Sequence, residues 1–152
     1  MSTPPLDIVH HLVKAARAAG ADAAEAVLFE STSLSASCRL GKAEDIERSE
    51  GRDLGLRVFV GERQAVVSST DFLPETLSAL TERAVAMAKV APPDPYCGLA
   101  GKELLATSFP DLELDDGSDV PAETLMETAL RAEEAALAVK GVTNSSGAGA
   151  SF

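Results

Sequence analysis

Residues Gly51 to Ser69 read G-R-D-L-G-L-R-V-F-V-G-E-R-Q-A-V-V-S-S. Leu54, Leu56, Val58 and Val60 alternate with Gly55, Arg57 and Phe59, the period-two pattern of a strand with one buried face. Gly61 and Glu62 interrupt the pattern, and Gln64 to Ser69 resumes it with Ala65, Val66 and Val67. Two β-branched runs joined by a short glycine-containing connection predict a β-hairpin. A hairpin alone is marginal in water and needs further strands and a covering layer.

The sequence on either side offers both. Ala23 to Arg39, A-A-E-A-V-L-F-E-S-T-S-L-S-A-S-C-R, is extended in pattern and predicts one long strand, bent or bulged near Ser31 to Ser33. Leu40-Gly41-Lys42 is a turn, and Ala43 to Ser49 returns as a polar strand before the hairpin. Ahead of the strands, Pro4-Pro5 opens a helix that runs to about Ala19, with Leu6, Val9, Leu12, Val13 and Ala16 on one stripe. Behind them, Thr70 or Asp71 caps a second helix, and Leu73, Leu77, Leu80, Ala84, Met87 and Ala88 form its core stripe. Pro92-Pro93 ends that helix near Ala91. The expected class is α+β: an antiparallel four-stranded meander sheet packed with helices, followed by an extended arm and a further helix.

The expected division is a core over residues 1–91, an arm over 92–120, and a helix with the start of a strand over 121–152. Tyr96, Leu99, Leu104, Leu105, Phe109 and Leu112 are apolar anchors by which the arm is expected to lie along a surface. Asp111, Glu113, Asp115, Asp116 and Asp119 form its acidic end, without the spacing of a calcium loop. Pro121 starts the last helix and Gly141 ends it, with Leu125, Ala129, Ala132 and Ala136 as a small-residue face. The closing run G-V-T-N-S-S-G-A-G-A-S-F opens an extended segment with no strand after it. The chain therefore reads as the amino-terminal part of a longer protein.

The chain has 152 residues, with 13 basic and 24 acidic side chains and a net charge of −11. That sign opposes nucleic-acid phosphates and anionic lipid, so neither nucleic acid nor membrane is an expected direct partner. No apolar run is long enough to span a bilayer, and the first residues lack a secretory pattern. Cys38 and Cys97 form neither a metal motif nor a disulfide framework. A reducing, cytoplasmic setting follows.

No residue is assigned a catalytic, cofactor-binding or metal-binding role. His10 and His11 are adjacent on a helix, so their side chains diverge by about 100° and cannot share one ion. Glu133 and Glu134 diverge for the same reason and do not converge on one substrate atom. The hydroxyls of Ser31 to Ser37 have no neighbouring base in sequence. Gly147-Ala148-Gly149 is too short for a dinucleotide fingerprint.

In their order, these elements resemble the amino-terminal domain of the TldD/PmbA family, also called modulators of DNA gyrase. The resemblance rests on A-D-A-A-E-A-V-L-F, L-G-L-R-V-F-V-G, S-S-T-D-F-L and A-V-A-M-A-K. The arm D-P-Y-C-G-L-A and the segment A-E-E-A-A-L-A followed by G-V-T-N-S are similar to the PmbA (TldE) branch. It implies a cytoplasmic two-subunit metalloprotease of one TldD-type and one PmbA-type subunit, acting in peptide maturation and proteolysis. Zinc belongs to an H-E-x-x-x-H motif of the TldD-type subunit, whereas His10 here is followed by His11 and Leu12. The resemblance thus implies a structural, partner-binding domain of a non-catalytic subunit, in a heterodimer with a TldD-type subunit and with a peptide as substrate of the complex. The alternative is a stand-alone interaction module acting on gyrase or on a toxin–antitoxin system without a protease partner.

Overall fold

The computed structural model describes residues 4–114 and 117–152. Its elements, in chain order, are α1 (Pro5–Ala18), β1 (Ala23–Arg39), β2 (Lys42–Val60), β3 (Arg63–Ser69), α2 (Pro74–Val90), a short 3-10 turn (Lys102–Leu104), α3 (Ala122–Leu137) and β4 (Ala148–Ser151). The strands form a four-stranded sheet in the order β3-β2-β1-β4. β3 runs antiparallel to β2 and β4 antiparallel to β1. This is the antiparallel α+β class that the patterning predicts.

The strands are partitioned differently from the expectation. Ala43–Ser49 and Leu54–Val60 are not separate strands but halves of the single strand β2. Gly51 and Asp53 read as punctuation, yet Gly51 is not among the glycines of positive φ, so the backbone stays extended through it. The fourth strand is the closing segment instead. Ala148 to Ser151 pair with Cys38 to Ser35, and Leu34 exchanges two backbone hydrogen bonds with Phe152 at 2.9 and 3.0 Å. Its partner therefore precedes it in the chain.

The chain divides into two compact units, one of residues up to 30 with 52–109, the other of 31–51 with 110 onward. In the first, Leu54, Leu56 and Val58 of β2 and Ala65 and Val67 of β3 share a core with Leu12 and Ala16 of α1 and Leu77, Leu80, Ala84, Val85 and Ala88 of α2. Alanines at the contacts let helix and sheet backbones approach closely, which suits a chain with few aromatics. Arg57 lies on the opposite face of β2, and Phe59 is buried there with the Arg57 guanidinium 5.1 Å from its ring centre. His10 and His11 are exposed on α1.

Three details of α2 and the arm correct the expectation. Leu73 and Met87 are 55% and 44% exposed, because the buried stripe runs through Thr81 and Val85 instead. The cap position of α2 is Leu73, without a side-chain cap bond. Asp71 acts from outside the helix, accepting from the Leu73 N–H at 3.0 Å and the Thr76 hydroxyl at 2.8 Å. The intended anchors of the arm are exposed, from Leu99 at 47% to Tyr96 at 96%. None of them belongs to the hydrophobic core among the described residues. Of its acidic end, Asp115 and Asp116 lie outside the described residues.

In the second unit, α3 packs on β4. Its buried residues are Leu125, Ala129 and Glu133, whereas Ala132 and Ala136 are exposed. Spacing of four residues keeps those three in one row, and the row ends in a carboxylate.

Candidate functional site

Two features of the described residues carry polar chemistry, one in each unit. The first is built on the β1–β2 turn. Leu40 and Gly41 both have positive φ, 50° and 73°, the signature of a two-residue type I′ turn. Such a turn leaves the N–H groups of its two central residues pointing out of the hairpin. Glu133 takes both: Oε1 accepts from the Leu40 N–H at 2.9 Å and Oε2 from the Gly41 N–H at 2.8 Å. The Cys38 thiol lies 3.8 Å from Oε2.

Glu133 is 2% exposed. A buried carboxylate is costly unless its lone pairs are used, and here they are. The Gly41 N–H, the Ser145 hydroxyl and the Leu40 N–H, in that order, hold the Glu133 carboxyl below the usual carboxylate range, against the opposing effect of burial. Burial first, and then the neighbouring Glu133 charge, pushes the Cys38 thiol up. A thiol held protonated is a poor nucleophile, and a carboxylate with its oxygens committed to backbone donors is not free for proton transfer. The cluster fixes a turn.

The same unit constrains one glycine. Gly147 has a φ of 116°, and a Cβ added there would sit 2.9 Å from the Cys38 carbonyl oxygen. Its N–H bonds the Ser145 hydroxyl at 2.9 Å, and Arg39 Nε donates to the Ser145 carbonyl at 3.3 Å. The approach into β4 is thus tied to the β1–β2 turn at several atoms.

The second feature is a shallow groove of about 400 Å³ on the sheet face away from α1 and α2, lined by Glu25, Val27, Gly55, Arg57 and Val66 among others. Gly55 forms its floor, where an added Cβ would come within 3.3 Å of the Val27 side chain. Glu25 and Arg57 form an ion pair across the strands, and Arg52 Nε lies 2.7 Å from Glu30. The groove offers apolar surface and a neutralised charge pair. It holds no nucleophile with a base.

Among the described residues, no three His, Cys, Asp or Glu side chains are grouped to hold a metal ion. The structure does not bring His10 and His11 together with other ligands, and Glu134 stays exposed while Glu133 turns inward. Sequence reasoning passed over Glu133 by judging it against its neighbour. The available signal was the row Leu125, Ala129, Glu133, which places an acid on the buried stripe.

Comparison with known proteins agrees with this architecture. Residues 24–88, from the start of β1 nearly to the end of α2, match the sequence profile described as PmbA/TldA metallopeptidase domain 1. The chain is 39% identical over 127 residues to Metalloprotease PmbA of Escherichia coli O157:H7, covering 83% of this chain and 28% of that protein. The chain belongs to the PmbA/TldD family. Against the Metalloprotease PmbA homolog of Haemophilus influenzae it is 38% identical over 141 residues, covering 92% of the chain and 31% of the relative. The chain spans somewhat under a third of the length of these PmbA relatives.

Solved structures share the fold. A Bacteroides thetaiotaomicron protein proposed to modulate DNA gyrase superposes with a TM-score of 0.81 at 19% identity, over 96% of this chain and 33% of that one. TldE from Thermococcus kodakarensis superposes with a TM-score of 0.64 at 21% identity, over 86% of this chain and 29% of that one. At such identities the likeness speaks for the PmbA/TldD fold alone.

Proposed function

We propose that this chain is a structural and partner-binding domain of a non-catalytic PmbA/TldE-like subunit, working in a TldD–TldE-type metalloprotease complex that matures or degrades peptides. The observation that carries this reading is the 39% identity to Metalloprotease PmbA over most of the chain. The polar cluster supports it, because its one buried carboxylate is spent on two backbone N–H groups. The reading assigns the zinc and the hydrolytic water to a TldD-type subunit, the peptide to the complex, and the cytoplasm as the compartment. No helix among the described residues is long and apolar enough to cross a membrane.

The test is co-expression of the chain with a TldD-type subunit, followed by affinity capture, metal analysis and a peptide-cleavage assay. Co-capture is expected, with zinc and cleavage following the TldD-type subunit. Failure to associate, or chelator-sensitive cleavage by the chain alone, overturns the reading. A stand-alone module acting on gyrase or a toxin–antitoxin system would instead associate with those components and ignore the TldD-type subunit.

A further inference from the structure

Helices α1 and α2 pack side by side, and a groove runs along their seam within the first unit. At one end a hollow of about 470 Å³ is bounded by Asp7, Ile8 and Phe72 among others. At the other end a hollow of about 140 Å³ is bounded by Ala15, Ala19, Ser78 and Glu82 among others. The two hollows share His11, Pro74 and Leu77, so they join into one groove. From Asp7 to Ala19 the chain of α1 advances about 18 Å, at about 1.5 Å per residue, which is about three turns of a helix laid along it.

The two ends differ in chemistry. Ile8, Phe72 and Leu77 make the wide end apolar, and their chain neighbours Leu6 and Leu73 are 69% and 55% exposed. The narrow end offers oxygen acceptors. Ser78 and Glu82 are exposed there, and the Thr81 hydroxyl, which donates its proton to the Leu77 carbonyl at 2.8 Å, retains lone pairs for a further donor. Charge is sorted as well. Lys14, Arg17, Arg83 and Lys89 all belong to these two helices, yet none of them lines either hollow, whereas Asp7 and Glu82 do. The seam is acidic between helices whose cations sit elsewhere.

We propose that this seam docks a basic amphipathic helix of another protein, with apolar side chains over Ile8, Phe72 and Leu77 and a lysine or arginine at Ser78, Thr81 and Glu82. Helix-in-groove docking needs an apolar stripe of this kind on the incoming segment. Pro74 and Glu82 are about 12 Å apart along α2, which sets the base about eight residues from the apolar anchor. The small side chains of Ala15, Ala19 and Ser78 let a third helix approach closely at the narrow end. Charge selects the occupant. A second copy carries −11, and the chain's own apolar arm carries Asp94, Glu103, Asp111 and Glu113, so neither complements an acidic groove. Nucleic acid and anionic lipid are opposed by the same sign. The surface stands whether or not a TldD-type subunit supplies the segment.

The test is titration of the 152-residue chain with two synthetic helical peptides of about 14 residues, followed by residue-resolved amide NMR. Both carry leucines at helical spacing, and one has lysines where the other has glutamates. The lysine peptide is expected to shift the amides of Ile8, His11, Leu77, Ser78 and Glu82, and to bind more weakly as salt rises. Glu82→Lys should weaken it several-fold. Glu47→Lys makes the same change of charge at an exposed position of β2 and should leave binding nearly unchanged, which separates the groove from general attraction to an acidic chain. Absence of binding overturns the proposal, as does equal binding of the glutamate peptide. So do shifts confined to other surfaces, an equal loss in both variants, or self-association that shifts the groove amides without peptide. If Glu82→Lys fails to fold, the wild-type shift map with the two peptides decides alone.

Discussion

The carboxylate of Glu133 lies 2.8 Å from the backbone N–H of Gly41, across 92 residues of sequence. Its other oxygen takes the N–H of Leu40, a non-glycine residue held at a φ of 50°. Left-handed backbone costs such a residue roughly 1–2 kcal/mol, and the two hydrogen bonds offset part of that cost. A helix late in the chain thus holds a turn made early in it.

Replacing Glu133 is accordingly expected to destabilise the second unit. Glu133→Leu leaves two turn N–H groups without their acceptor in a partly buried site, the costlier way of losing a hydrogen bond. Glu133→Gln keeps the shape and one acceptor oxygen, so its loss should be smaller. Thermal melts should rank wild type above Glu133→Gln and Glu133→Leu lowest, by several degrees. Equal melting of all three would show that the contact carries no stability.

The same contact sets a pH dependence. The Glu133 carboxyl titrates lower in the folded chain than in the unfolded one, chiefly through the Gly41 N–H. Its contribution is therefore present above the ordinary glutamate value of about 4.3 and fades as pH falls through the lower folded value. Asp71, lowered first by the Leu73 N–H and then by the Thr76 hydroxyl, acts in the same direction below the ordinary aspartate value of about 3.9. Denaturant midpoints across this acid range should fall less for Glu133→Gln than for wild type, because the amide does not titrate. Parallel pH profiles would remove Glu133 as the source.

Neighbouring positions of β2 should respond oppositely to polar substitution. Val58 is fully buried against the helices, whereas Arg57 faces the other side in an exposed ion pair with Glu25. Val58→Asp buries an unpaired charge and should cost about 3 kcal/mol or more. Arg57→Gln loses a surface ion pair, typically worth about 0–1 kcal/mol. Comparable urea midpoints for the two variants would contradict the face assignment.

Much of the fold was legible because it follows from local pattern. The alternation of Leu54 to Val60 marked both the strand and its buried face, and Pro4-Pro5, Pro92-Pro93 and Pro121 marked helix limits. What stayed hidden depends on distant partners. Gly51 to Asp53 looks like a break between two strands because a glycine and two charged residues interrupt the pattern, yet the backbone stays extended through it. Ala148 to Ser151 looks unpartnered because its partner lies far upstream. Leu73 and Met87 satisfy the helical period yet sit outside the buried stripe, since period alone does not fix how wide a face is covered. In the polar cluster, Glu133 was legible only as one of two adjacent acids. Its acceptors' partners, the N–H groups of Leu40 and Gly41, belong to the backbone and leave no mark in the sequence.

Both compact units are interrupted in sequence, since residues 31–51 belong with 110 onward and not with the segments beside them. A ribosome delivers the β1–β2 turn long before α3 and β4 arrive to hold it. The first unit has all its core residues by Ala88 and can condense early from moderately local contacts. The second must wait for closure of a loop whose entropy cost is met late, and contacts of that separation slow folding. Refolding is then expected in two steps, with the first unit's β-sheet and helix signal preceding protection of the Leu40 and Gly41 amides.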